Sequence, residues 1–100
     1  MVTRIWHGTT KVSDADTYLE FLDKIGIRDY GKTPGNLSIK VLRRLENDVC
    51  HFWTVTEWES LDHIRAFAGD DLEKARYYPE DKDFLLEFEE KVIHCETFNF

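Results

Sequence analysis

The chain has 100 residues, 42 % of them hydrophobic and 14 % aromatic, which is enough apolar material for the core of one domain spanning residues 1–100. Its formal net charge of −7 at pH 7 disfavours nucleic acid and anionic membranes as partners, because both require clustered Lys and Arg. No stretch approaches the roughly 20 apolar residues of a membrane span, and the N-terminus shows no apolar signal segment. We therefore expect a cytoplasmic protein.

The two cysteines, Cys50 and Cys95, lack the spacing of a metal site and are too few for a disulfide framework. We expect both to be free and buried thiols. The acidic residues between positions 70 and 90, nine acids against three bases, are typical of a solvated face. No metal and no other cofactor is predicted, because no carboxylates or histidines show the pattern of convergent ligands.

The chain begins with a predicted strand and helix. Arg4–Thr10 is rich in β-branched and aromatic residues and predicts a strand with bulky groups on both faces. Ser13, followed by Asp16 three residues later, resembles a capping box, and apolar residues then keep helical spacing as far as Ile25. The Gly- and Pro-containing stretch 29–35 predicts a loop.

Two further strands are predicted as a hairpin. Asn36–Leu45 alternates clearly, with one face that carries Leu37, Ile39, Val41 and Leu45. The polar turn 46–48 leads into a strand that ends at Trp58. Ser60 is then a good N-cap for a helix whose apolar face ends before Gly69.

The last third of the chain predicts two short helical segments and a strand. The first segment runs through Asp70–Arg76, and the second covers Asp83–Glu90 with Phe84, Leu85 and Phe88 facing inward. Pro79 separates the two segments. Lys91–Phe98 is the last predicted strand.

This order predicts an α+β fold: a ferredoxin-like βαββαβ chain with a four-stranded antiparallel sheet in the order 4-1-3-2 and helices on one face. The second face should then be polar, yet three strands place large apolar groups on both faces. Another copy of the same sheet is the simplest cover for that face. We therefore predict a homodimer.

Several features carry a resemblance to a known family: the Trp58-Glu59-Ser60 turn into a helix, the Ser-capped first helix and the Pro34-Gly35 loop. With the βαββαβ order, they make essentially the whole chain resemble the antibiotic biosynthesis monooxygenase domain family. The stretches 67–71 and 77–81 look like marks of one subgroup. The resemblance implies a dimeric α+β barrel with a pocket in each subunit between the sheet and the helices.

The resemblance implies three alternative functions. The first is a cofactor-independent monooxygenase that acts with O₂ on a small aromatic or quinol-like substrate. The second is a non-catalytic, dimeric small-molecule-binding module. The third is a heme-binding or heme-degrading protein, although the first strand lacks the family's Asn, and its Trp and His positions fall on Phe67 and at or near Tyr77. A tyrosinate can ligate ferric heme, so this alternative stays open.

Candidate site residues follow from the strand order and the resemblance. His7 and His94 lie on strands predicted to be neighbours, so their side chains could meet. As catalytic residues they could accept a proton or donate a hydrogen bond to an anion. The alternative is that both are half-buried and bonded to backbone or Thr groups. His51 and His63 are predicted to be solvated. The predicted substrate-binding residues are Arg4, Trp6, Trp53, Phe67, Tyr77 and Tyr78.

Overall fold

Five strands form one antiparallel sheet in the computed structural model, which describes residues 1–27, 32–75 and 77–100. The strands are β1 (Val2–Lys11), β2 (Asn36–Glu46), β3 (Val49–Trp58), β4 (Leu85–Glu87) and β5 (Ile93–Glu96), and the α-helices are α1 (Ala15–Phe21) and α2 (Leu61–Ala68). The predicted loop 29–35 falls partly outside the described residues. The α+β class is confirmed, and no described helix has the length and apolar character needed to cross a membrane.

The sheet order is β2-β3-β1, and β4 and β5 both pair with the remaining edge of β1. The predicted order of strands is therefore confirmed, except that two short strands share the fourth position. β5 pairs with β1 from Val2↔Glu96 to Ile5↔Ile93, whereas β4 pairs only at Thr9 and Thr10. The charged segment 88–92 connects β4 to β5 along this edge.

The first helix begins differently from the prediction. A 3-10 turn over Val12–Asp14 leads into α1, and a π-helical segment, Leu22–Ile27, continues it. The predicted Ser13 capping box is wrong, because an N-cap residue needs extended backbone, and Ser13 lies inside the 3-10 turn. No side-chain cap hydrogen bond is present at Asp14, whose backbone is already helical.

The joint between β3 and α2 matches the prediction. Ser60 has extended backbone and its hydroxyl accepts a hydrogen bond from the His63 N–H. Trp58 is fully buried beneath the helix, and its ring lies 5.5 Å from that of Phe67. The helix ends at Gly69, whose φ of 90° is strained for any residue with a Cβ.

The helices predicted over 70–76 and 83–90 are wrong for the described residues. The Ala75 N–H donates to the Glu90 carbonyl, and the Val92 N–H donates to the Glu73 carbonyl. Long-range backbone bonds thus replace the local bonds that a helix would need. A 3-10 turn (Pro79–Asp83) then leads into β4, and Phe88, predicted to face inward, is 45 % exposed.

The two faces of the sheet have different environments. The face under α1 forms the core, whose buried members are Trp6, Ala15, Tyr18, Leu22, Cys50, Phe52, Ala75, Leu85 and Val92. On the other face, which we call the open face, Leu42 and Ile93 are 50 % and 61 % exposed. Both cysteines are free, but only Cys50 is buried; Cys95 is exposed because it lies on edge strand β5 and faces away from the core.

Candidate functional site

A groove of about 520 Å³ lies at the β1 edge of the sheet, between residues 71–75 with Tyr77 on one side and the segment 88–91 on the other. We call it the Tyr77 groove; its lining residues are Asp71, Lys74, Ala75, Tyr77, Phe88, Glu90 and Lys91. None of these residues belongs to a helix. The Tyr77 groove therefore lies in a different place from the predicted pocket, which was expected between the sheet and the helices.

The space between the sheet and α1 is instead filled by aromatic side chains. The Tyr18 ring packs edge-on against Phe52 at 5.1 Å and also contacts Phe84. The Trp6 ring lies directly over Gly8, so closely that a Cβ at position 8 would be 2.5 Å from the ring. Packing of this kind excludes a ligand from the centre of the core face, whereas the Tyr77 groove at the edge is open.

Tyr77 connects the groove to the core. Its hydroxyl accepts a hydrogen bond from Trp6 Nε1 at 3.1 Å and donates one to the backbone carbonyl of Glu89. Its ring meets the edge of Phe88 with centroids 5.1 Å apart. Burial raises the pKa of the Tyr77 phenol, so the group is neutral at physiological pH. Tyr77 and Phe88 therefore form a fixed aromatic wall.

Charged side chains line the remainder of the Tyr77 groove. Lys74 and Lys91 contribute two ammonium groups, while Asp71 and Glu90 contribute two carboxylates. Lys91 Nζ lies 3.9 Å from the carboxylate of Glu73, which is outside the lining. The charged lining is therefore balanced, and the aromatic wall offers a surface against which a flat ring can pack.

Arg4 and His94 lie behind one wall of the groove. Arg4 is 2 % exposed, and its guanidinium donates to the carbonyl oxygens of Leu72 (2.7 Å) and Lys74 (3.2 Å). His94 is directly opposite Arg4 in the β1–β5 register, and its Nε2 is 3.0 Å from Arg4 Nη1. Burial, and then the charge of Arg4, lower the pKa of His94. Neither residue lines the groove.

His7 lies on the open face, and the register separates it from His94 on the core face. Its partners are His51, whose Nδ1 is 2.9 Å from His7 Nε2, and Glu89, whose Oε1 is 3.1 Å from His7 Nδ1. Trp53 packs beside both imidazoles, with ring centroids 5.1 and 5.7 Å away. His7 and Trp53 line a second groove of about 510 Å³ with Ile5, Glu89, Glu90, Lys91 and Ile93.

The two other predicted substrate-binding residues lie away from both grooves. Phe67 packs against Trp58 under α2. Tyr78 contacts the edge of the Phe21 ring, and its backbone N–H donates to the buried carboxylate of Asp81. Of the eight predicted site residues, Tyr77 therefore lines the edge groove, His7 and Trp53 line the open-face groove, and Trp6 contacts Tyr77.

Sequence reasoning missed Lys74, Phe88 and Lys91 as site residues. These come from two segments that one antiparallel bridge, Lys74↔Lys91, joins at the sheet edge. Both segments carry a helix-like apolar spacing that concealed their irregular backbone, which long-range bonds hold. His51, predicted to be solvated, is half-buried beside His7 because both rings lie on the same face of paired strands.

Comparison with known proteins gives structural matches only. No family model matches the sequence, and no curated protein matches it. A solved antibiotic biosynthesis monooxygenase matches with a TM-score of 0.68 at 14 % sequence identity, covering 99 % of this chain and 100 % of that chain. A monooxygenase from the gene ActVA-Orf6 of Streptomyces coelicolor, in complex with nanaomycin D, gives 0.64 at 14 %, covering 99 % and 88 %.

A third match concerns a heme-degrading protein. MhuD from Mycobacterium tuberculosis, solved with two hemes bound in its active site, matches with a TM-score of 0.58 at 21 % identity, covering 100 % of this chain and 98 % of that chain. At such identities the likeness shows the fold alone. The ferredoxin-like fold of the antibiotic biosynthesis monooxygenase structures, which the resemblance predicts, is thereby confirmed.

Proposed function

We propose that this protein is a cofactor-independent, cytoplasmic monooxygenase that acts on a small, flat phenolic or quinol-like substrate in the Tyr77 groove. The observation that carries the proposal is the meeting of an aromatic wall, Tyr77 and Phe88, with two lysines in one groove of about 520 Å³. Monooxygenases among the structures of like fold support the reaction class. The free thiols of Cys50 and Cys95 support a reducing compartment.

The chain's own residues supply binding and charge stabilisation in this proposal. The substrate ring packs against Tyr77 and Phe88, and the ammonium groups of Lys74 and Lys91 stabilise the phenolate that forms when the hydroxyl proton leaves to Glu90 or water. The phenolate ring reduces O₂. One oxygen atom bonds to a ring carbon, which loses its hydrogen. The other oxygen atom leaves as water, with that hydrogen and the phenolic proton, and the product is a quinone.

Removing both lysine charges tests this role. The double variant Lys74→Gln, Lys91→Gln is expected to reduce kcat/KM for O₂ uptake with phenols and quinols by at least roughly tenfold, the size of one lost charge-assisted hydrogen bond. Lys11→Gln, Lys82→Gln is the matched control, because both lysines are exposed and outside the groove, and it should keep full activity.

Two results would count against the proposal. Equal rates in the groove double variant and in the control would remove the lysines from the reaction. Binding of phenols without any O₂ uptake across the panel would favour the alternative, a non-catalytic binding module that uses the same groove.

One of the structures of like fold contains heme, which makes heme a candidate cofactor. The Tyr77 groove does not fit heme. A tyrosine ligand to iron must be a phenolate, whereas the Tyr77 hydroxyl is engaged with Trp6 and the Glu89 carbonyl, and burial raises its pKa. Across residues 1–27, 32–75 and 77–100, no three His, Cys, Asp or Glu side chains group into a metal site.

We also propose that two copies associate through the open face as a homodimer. Leu42 and Ile93 are half or more exposed on this face, which also carries Trp53. Its β2 edge carries Lys40 and Arg44, and its opposite edge carries acidic residues 89 and 90. A two-fold axis parallel to the strands would place the basic edge of each copy over the acidic edge of the other copy.

Charges introduced on the open face should dissociate the dimer. Leu42→Asp, Ile93→Asp is expected to raise the dimer dissociation constant by at least about a hundredfold, because each aspartate would be desolvated against apolar groups. Leu61→Asp, at an exposed apolar residue of α2, is the control and should remain dimeric. Sedimentation velocity measures both, and a wild-type monomer at micromolar concentration would contradict the proposal.

A further inference from the structure

We propose that Arg4 and His94 form a proton-sensitive latch that holds the wall of the Tyr77 groove, so that they act as positioning residues and do not touch the substrate. The inference depends on the proposed function only in that the groove is taken to bind a substrate. The latch itself consists of contacts within the chain, so it can be tested without any ligand.

The wall that needs holding is the segment 71–75. It has no helix or strand of its own and is joined to residues 90–92 by two backbone hydrogen bonds, Ala75 N–H to Glu90 O at 2.8 Å and Val92 N–H to Glu73 O at 2.7 Å. These bonds connect the two sides of the groove to each other. Ala75 is also buried in the core, and a separate contact ties residues 72 and 74 to β1.

Arg4 provides this contact from the N-terminal part of β1. Its Nη1 donates to the Leu72 carbonyl and its Nη2 donates to the Lys74 carbonyl, so that one buried guanidinium spans the wall. Hydrogen bonds from an ionised donor are stronger than neutral ones, most of all away from water. Lys74, a lining residue of the groove, is therefore positioned through its own backbone by Arg4.

His94 makes the anchor sensitive to protons. A guanidinium carries donors only, so His94 Nε2, 3.0 Å from Arg4 Nη1, must accept, and the ring must be neutral with its proton on Nδ1. A second proton on Nε2 would place two donors and two positive charges against each other. The charged groups that act on His94 are Arg4 from β1, which disfavours protonation, and Glu73 from the wall, which favours it more weakly.

The sign of the pH dependence follows from this arrangement. Burial and Arg4 lower the pKa of His94 below its ordinary 6.5 in the closed structure, so the opened wall binds the proton more readily than the closed wall does. The latch is therefore fully effective above pH 6.5. It weakens as the pH falls below that value and through the lowered pKa.

Amide hydrogen exchange of the full chain tests the latch directly. After correction for intrinsic exchange rates, protection of the Ala75 and Val92 amides in the wild type should fall several-fold between pH 7.5 and 5.5, with a ceiling of about tenfold for one proton and an ordinary pKa of 6.5, while the Thr54 amide in β3 reports any global opening. Arg4→Met should show low protection at both pH values.

His94→Gln is the decisive variant, because its amide oxygen can accept from Arg4 but does not titrate. It should keep Ala75 and Val92 protected at pH 5.5, although the other three histidines of the chain are unchanged in it. An equal pH-dependent loss in His94→Gln, or unchanged protection in the wild type, would overturn the latch. If Arg4→Met does not fold, the comparison of His94→Gln with wild type decides alone.

The two proposals can fail separately. An enzyme that consumes O₂ with phenols but shows pH-independent protection of Ala75 and Val92 would retain the proposed function and lose the latch. A protein that binds no phenol at any pH but shows the expected exchange behaviour would lose the proposed function and retain the latch.

Discussion

Replacing Trp58 with alanine is expected to lower the free energy of unfolding by about 3 to 5 kcal/mol, the largest loss we predict for a single substitution. The side chain is fully buried, it packs on Phe67, and its Nε1 donates to Thr56 Oγ1 at 2.9 Å. Alanine would leave a large cavity beneath α2 and a buried hydroxyl with fewer partners. Urea denaturation followed by circular dichroism measures the change.

Two comparisons make the Trp58 result specific. Trp58→Phe should cost clearly less than Trp58→Ala, because it retains most of the buried ring. Phe98→Ala removes an aromatic side chain that is 71 % exposed and should change stability by no more than about 0.5 kcal/mol. A loss of less than about 1 kcal/mol in Trp58→Ala would show that the joint between β3 and α2 does not organise the core.

Gly8→Ala is expected to destabilise the protein by about 1 to 3 kcal/mol and to disturb the Tyr77 groove as well. The new Cβ would lie 2.5 Å from the Trp6 ring and 3.2 Å from Leu85. Trp6 is buried and donates to Tyr77, so the ring can move only by breaking that hydrogen bond. The Trp6 indole N–H resonance and the urea midpoint together report both effects.

The cause of the Gly8 effect can be isolated by two further variants. In a Trp6→Phe background, whose shorter ring leaves room, Gly8→Ala should cost less than in the wild type. Gly69→Ala is a conformational control, because no atom lies within 4 Å of its Cβ position and only its φ of 90° opposes the change. Equal costs for Gly8→Ala in both backgrounds would contradict the steric explanation.

The local patterns in the sequence predicted much of the fold. Of the β2 face predicted to carry Leu37, Ile39, Val41 and Leu45, the last three are confirmed by the register with β3, because alternation over so many residues leaves only one orientation. Leu37 falls in a register shift at the start of the strand and is 50 % exposed. Ser60 predicted the start of α2 correctly because its capping bond is local. Where long-range backbone hydrogen bonds determine the structure, as between residues 73–75 and 90–92, the helix-like spacing of apolar residues predicted the wrong structure.

The site was less predictable than the fold for the same reason. Tyr77 was named through the resemblance, but its partners Trp6 and Glu89 are far away in the sequence. The predicted meeting of His7 and His94 depended on register. The structure pairs His94 with Arg4, which separates the two histidines by the thickness of the sheet. The spacing of residues in a single sequence does not determine which residues of two distant strands are paired.

The measurement that tests the central claim most directly is a ¹⁵N NMR titration of the wild-type protein with 1-naphthol, a flat phenol. Chemical-shift changes are expected at the amides of Lys74, Tyr77 and Phe88, which line the Tyr77 groove and not the groove on the open face. Changes confined to His7, Trp53 and Ile93 on the open face, or no changes at all, would contradict the claim that the Tyr77 groove is the binding site.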